Sequence, residues 1–144
     1  MEIESLVIKV PKGAILLLEG ELVALHKMEV FARNLYFQEL RRFEGDIFET
    51  IKWLYDQEDR HAYTLQFILT HAGIPTKDFS PLLPQLGRDA DVMIEFDIKK
   101  EEEAMALYSK VIPKATGALK EIVQHFYDEE ILHIQRLKEH LSGQ

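Results

Sequence analysis

The chain matches itself. Shifted by 72 residues, half of its 144, "YDQEDRH" (Tyr55–His61) falls on "YDEEILH" (Tyr127–His133). In the same register "EVFARNLY" (Glu29–Tyr36) falls on "EEEAMALY" (Glu101–Tyr108). Gly45 falls on Gly117, Glu49 on Glu121, Leu65 on Leu137 and Leu69 on Leu141. From Lys27 to Leu69, 13 of 43 ungapped positions are identical, where chance gives about three. Such a repeat constrains the fold strongly: each half is one supersecondary unit, and the two halves must pair to bury a common core.

Each half reads as two helices. Leu22, Leu25, Ala32, Tyr36, Leu40 and Phe43 share one face of a helix over about residues 13–43. Gly45 then acts as a stop and Asp46 as the next N-cap. A second helix runs to about Ala72, with Ile47, Ile51, Leu54, Tyr55, Ala62, Leu65, Ile68 and Leu69 on its stripe, and Gly73 ends it. "IPTKDFSPLLPQLGRD" follows, a long connection with three prolines. A third helix spans about Asp89–Lys114, "TG" at Thr116–Gly117 marks the turn, and a fourth helix reaches about Leu141. The expectation is an all-α four-helix bundle of two duplicated hairpins, with a long crossover between helices two and three. Residues 1–12, with Ile3, Leu6, Ile8 and Val10 before Pro11, read as an extended arm or short lead-in that docks onto something, a partner subunit among the candidates. Residues 13–144 form the bundle.

The repeat gives meaning to a motif that is weak alone. Glu58 and His61 stand three apart, as do Glu130 and His133. Glu29 lies 29 residues before Glu58, and Glu101 lies 29 before Glu130. Both midpoints fall beside a glycine, so folding each half there brings its two Glu to one height, roughly 20 Å from the turn. All four Glu also sit on the apolar stripes. Buried carboxylates at one level repel one another unless protons or cations compensate. Four carboxylates match the charge of two divalent ions. One Glu from each of two helices and a Glu-x-x-His from each of the other two make a di-iron or di-manganese carboxylate site. Carboxylate and imidazole donors suit Fe(II), Mn(II) or Zn(II).

Composition narrows the alternatives. A net charge of −8 opposes a nucleic-acid or anionic-membrane partner. No apolar run is long enough to span a bilayer or make a signal peptide, so the cytoplasm is the expected compartment. With no cysteine there is no disulfide, Cys-ligated zinc or iron–sulfur cluster.

Several neighbours invite a role. Asp56 and Asp128, two before Glu58 and Glu130, are candidates to orient a ligand His by hydrogen bonding. Tyr36, Tyr55, Tyr108 and Tyr127 are repeated pairs near the same level, candidates to hydrogen-bond a ligand carboxylate and otherwise core tyrosines. His26, three before Glu29, is a candidate seventh ligand. Glu102 and Glu103 read as solvated, Trp53 as packing, and His71, His125 and His140 as lacking partners.

At these motifs the chain resembles the rubrerythrin-type branch of the ferritin-like superfamily over about residues 14–141. That family shows E-x-x-[AGS]-x-x-[LF]-Y on its first and third helices and D-Q-E-x-x-H, or a close variant, on its second and fourth. Here "EVFARNLY", "EEEAMALY", "DQEDRH" and "DEEILH" match. The resemblance implies metal ligands Glu29, Glu58, His61, Glu101, Glu130 and His133, with Glu58 and Glu130 bridging two iron ions that react with O2 or H2O2. Rubrerythrins proper carry a rubredoxin-like iron module held by four cysteines. This chain has no cysteine, so a separate electron-donor protein is implied. They also carry an extra Glu three residues after the third-helix ligand, where this chain has Ala104. The remaining ligand set is similar to a bacterioferritin ferroxidase centre, without that family's fifth helix. The expected activity is ferroxidase or peroxide reductase. The alternative is a non-catalytic iron or zinc carrier using the same ligands. The apolar arm and small bundle suit a homodimer.

Overall fold

Glycine at left-handed φ begins the second helix of each half. Gly45 and Gly117 have φ of +71° and +55°, a region open to glycine and costly for other L residues. A computed structural model describes residues 3–76, 81–85, 87 and 89–141. Two short helices come first, α1 (Ile3–Val7) and α2 (Lys12–Leu17). Four long ones follow: α3 (Glu19–Glu39), α4 (Gly45–His71), α5 (Ala90–Val111) and α6 (Gly117–Lys138). The described residues are otherwise turns and irregular segments, with no strand, and none of their helices is long and apolar enough to cross a membrane.

The long helices end for identifiable reasons. After α4 the Ile74 N–H bonds the Leu69 carbonyl at 2.9 Å and the Gly73 N–H bonds that of Thr70 at 3.0 Å. Those two bonds form a Schellman stop, with Ile74 and Leu69 both buried. Asp89 caps α5, its Oδ1 accepting from the N–H groups of Asp91 (2.9 Å) and Val92 (3.3 Å). Pro113 ends α5 in a 3-10 turn over Ile112–Lys114. Asp46 lies inside the first turn of α4 and makes no side-chain cap, unlike the sequence expectation.

α3 packs against α4, α5 against α6, α3 against α5, and α4 against α6. Two apolar clusters result. One gathers Leu22 and Leu25 with Leu65, Ile68, Tyr108, Val123 and Phe126. The other gathers Tyr36, Ile51, Leu54, Ile94, Ile98 and Leu137. Between them, on all four long helices, lies a layer of charged residues.

Two expectations change. The first dozen residues are not extended: α1 buries Ile3 and Val7, and Val10 follows them into the first cluster. They dock on α6 and α4 of their own chain. The first long helix is also broken, at Leu18 (φ −116°, ψ 25°), separating α2 from α3. The middle of the expected crossover, residues 77–80, 86 and 88, lies outside the described residues. At Pro84 the connection touches α3, where the Gln38 Nε2 donates to the Pro84 carbonyl at 3.4 Å.

Candidate metal centre

Each helix delivers its charged residue because that residue occupies an apolar-stripe position and cannot turn outward without unpacking its neighbours. Glu29 follows Leu22 and Leu25 on α3, and Glu101 follows Ile94 and Ile98 on α5. Glu58 and His61 on α4, and Glu130 and His133 on α6, stand three apart and so share one face. All six are buried.

The six side chains converge. Glu29, Glu58, His61 and Glu130 bring ligand atoms within 4.8 Å of one another, and so do Glu58, Glu101, Glu130 and His133. Either group could hold a metal ion, and the two share Glu58 and Glu130. His61 Nδ1 stands 2.7 Å from Glu29, 3.2 Å from Glu130 and 3.7 Å from Glu58. His133 Nδ1 stands 2.9 Å from Glu58, 3.3 Å from Glu101 and 3.4 Å from Glu130. The two rings lie 5.9 Å apart, and Phe126 stacks on His61 at 4.1 Å.

Without a cation, protons carry the compensating charge. Burial and repulsion from Glu58 lift the Glu29 pKa well above the usual 4.5. Burial and repulsion from Glu101 push Glu58 the same way, but contacts with Glu29, His133 and His61 outweigh them and leave it lowered. Burial disfavours charge on His61, yet bonding to Glu129, Glu29 and Glu58 raises its pKa well above 6.5. Burial opposes charge on His133 too, but the attraction of Glu101 and bonds to Glu101 and Glu58 take it to about 10. Glu29 Oε1, both Glu58 oxygens and Glu130 Oε2 receive no well-aligned hydrogen bond among the described residues, although His133 Nδ1 stands 2.9 Å from Glu58. Acceptor oxygens buried without donors, beside two inward-facing imidazoles, are the donor set that hard and borderline divalent cations take.

The neighbours sort cleanly. Tyr36 is buried, and its hydroxyl donates to Glu101 Oε1 at 2.6 Å. Tyr108 is equally buried, and its hydroxyl has no partner among the described residues. Tyr55 and Tyr127 are only half-buried, and Tyr55 packs on Phe37. Asp56 and Asp128 do not reach a ligand His. Both are exposed, Asp56 paired to Lys52 at 2.9 Å and Asp128 accepting from Gln124 at 3.1 Å. Two residues along a helix is a rotation of roughly 200°, which turns them away from the layer. His26 is buried but contributes to neither converging group. Glu102 and Glu103 are exposed. His125 and His140 have partners after all, Glu129 at 3.3 Å and the Thr50 hydroxyl at 2.8 Å.

The residues that do back the ligands sit one position later than expected. His61 Nε2 donates to Glu129 Oε1 at 3.0 Å, and His133 Nε2 lies 2.8 Å from the Gln57 amide. Trp53 packs as expected, and its partner is a ligand candidate: it meets the His133 ring edge-on at 5.2 Å. The repeat aligned positions 57 and 129, but identity matching passes over a Gln set against a Glu.

A second buried acid pair was also missed. Glu39 and Asp97 face each other, both fully buried, with all four oxygens lacking a donor among the described residues. Burial raises Glu39 to about 7, and burial with the facing Glu39 raises Asp97 well above its usual 3.8. Their counterparts 72 residues away, Val111 and Leu25, are apolar and just as buried.

A cleft of about 240 Å³ between α3 and α5 is lined by Glu29 and Glu101, with Met28, Phe31, Lys100 and Ala104 among its other walls. No family model, curated protein or solved structure matches the chain.

Proposed function

We propose that the chain is a ferritin-like four-helix bundle, two duplicated hairpins joined by a crossover, that holds two metal ions for redox chemistry with O2 or hydrogen peroxide. The observation that carries this reading is the sharing of Glu58 and Glu130 between the two converging groups. In this reading Glu58 and Glu130 would be shared by the two ions, Glu29 and His61 would hold one, and Glu101 and His133 would hold the other. Iron fits the donor set and the redox role, and bound iron would supply one electron per ion to the oxidant.

The rest follows from the chain's own side chains. The apolar clusters on either side of the layer exclude water and strengthen every charge interaction within it. Tyr36 holds Glu101 in one orientation, and Glu129 does the same for the His61 ring. The cleft lined by Glu29 and Glu101 admits a small oxidant. Ala104 leaves space there where an acidic side chain would fill it. With no cysteine to house an electron-transfer cluster, a separate donor protein supplies the electrons for repeated turnover.

Anaerobic reconstitution with Fe(II) should give two ions per chain. Glu58→Ala and Glu130→Ala should each abolish binding, because each removes a ligand from both positions. Full loading in both variants would refute the centre. Stopped-flow mixing with O2 or peroxide should show oxidation faster than that of free Fe(II). Loading without acceleration would instead make the chain a metal carrier.

A further inference from the structure

The two halves place their outer histidine partners identically but fill them differently. Glu129 and Gln57 are 72 residues apart, and each precedes a shared carboxylate. Each reaches across to the histidine of the other half, Glu129 to His61 at 3.0 Å and Gln57 to His133 at 2.8 Å. The surroundings change along with them. Glu129 is flanked by His125 at 3.3 Å and Arg60 at 3.5 Å. The repeat puts Trp53 and Leu132 at the positions corresponding to those two residues. Three aligned positions therefore differ together: Glu129, His125 and Arg60 in one half stand against Gln57, Trp53 and Leu132 in the other, where Arg136 stacks over the Trp53 ring at 4.8 Å.

A carboxylate and an amide do different things to an imidazole. A Glu129 carboxylate can only accept, so it keeps a proton on His61 Nε2 and makes Nδ1 the nitrogen that would give up its proton to a metal. It also adds negative charge behind the ring and makes the ring a stronger donor. Gln57 imposes neither effect. Its carbonyl can accept from His133 Nε2. Turned over, its NH2 faces His133 Nε2 at 2.8 Å and Glu129 Oε2 at 3.1 Å, while its oxygen accepts from Trp53 Nε1 at 3.1 Å. A metal on His133 Nδ1 needs the proton on Nε2, hence the carbonyl orientation, and that gives up the Trp53 bond.

We propose that the two metal positions are unlike: the His61 position, backed by Glu129, fills first and tightly, and the His133 position, backed by Gln57, fills second and turns the amide away from Trp53. This rests on the dinuclear reading above. Changing an outer partner of a ligand histidine typically alters metal affinity by about 10–100-fold, which sets the expected gap between the two steps.

The test is Zn(II) titration of the full-length metal-free protein, followed by calorimetry and by emission of Trp53, the chain's one tryptophan. Two steps separated by about 10–100-fold are expected, with the emission change confined to the second. Glu129→Gln should weaken the first step until the two merge, still with two ions bound. Gln57→Glu should tighten the second and abolish its emission change. Equal steps in the unaltered protein, an emission change on the first ion, or a first step untouched by Glu129→Gln would overturn the proposal while leaving a dinuclear centre standing. Absence of Zn(II) binding in the unaltered protein would bring down the dinuclear reading and this proposal together.

Discussion

Replacing Glu39 with Gln should make the metal-free protein more stable at neutral pH and above, with little effect in acid. Glu39 and Asp97 are buried together without a donor among the described residues, so the pair is comfortable only while it holds protons. The folded protein raises the Glu39 pKa from 4.5 to about 7. At 1.36 kcal/mol per pH unit, that difference is worth roughly 3 kcal/mol. The sign follows from the direction. A carboxyl with a raised folded-state pKa contributes stability that is fully present below 4.5 and is lost as pH rises through about 7. Asp97 moves the same way, so the loss belongs to the pair. Gln removes one titrating group, and its NH2 can donate to Asp97. Urea unfolding from pH 4.5 to pH 8, compared between variant and unaltered protein, cancels the contribution of the central layer. The stability difference should shift in favour of Glu39→Gln by up to roughly 3 kcal/mol across that range. A pH-independent difference, or a variant that is less stable at pH 8, would refute the reasoning and show that something other than protons compensates this pair.

Three further substitutions probe the layer and its surroundings. Tyr36→Phe removes the 2.6 Å hydroxyl bond to buried Glu101 and should lower stability by about 1.5–3 kcal/mol in chemical denaturation. An unchanged midpoint would mean that Glu101 finds another donor. Asp56→Asn and Asp128→Asn should leave Zn(II) stoichiometry and affinity unchanged in calorimetry, since both side chains face solvent. A ten-fold loss in either would return them to the neighbourhood of the centre.

How much of this the sequence disclosed depends on whether a signal was local or made by packing. The six converging residues were legible because the repeat held identity, spacing and stripe position together. Asp56 and Asp128 were repeated just as faithfully, yet repetition does not say which way a residue faces, and two steps of helix turned them outward. Gln57 and Glu129 were hidden for the opposite reason, since their roles correspond while their identities do not. Glu39 and Asp97 sit on apolar stripes, but their pairing depends on α3 meeting α5, separated by more than fifty residues of chain. The arm misled through Ile8, which was counted among its docking residues and is 71% exposed. The helical set is Ile3, Val7 and Val10. A five-residue helix has little stability of its own, so only its docking on α4 and α6 decides the matter.

The left-handed glycines at the starts of α4 and α6 carry a consequence for what kind of change the chain tolerates. Gly45 stands 13 residues before Glu58, and Gly117 stands 13 before Glu130. Of the twelve residues in each interval only three are the same in the two halves, Glu49/Glu121, Tyr55/Tyr127 and Asp56/Asp128. Their number is nonetheless identical. One residue gained or lost there would swing Glu58 and His61, or Glu130 and His133, by about 100° and slide them about 1.5 Å. Because Glu58 and Glu130 belong to both converging groups, a single such slip would break up both groups at once. In these two intervals most side chains differ between the halves, and the number of residues is what the two share.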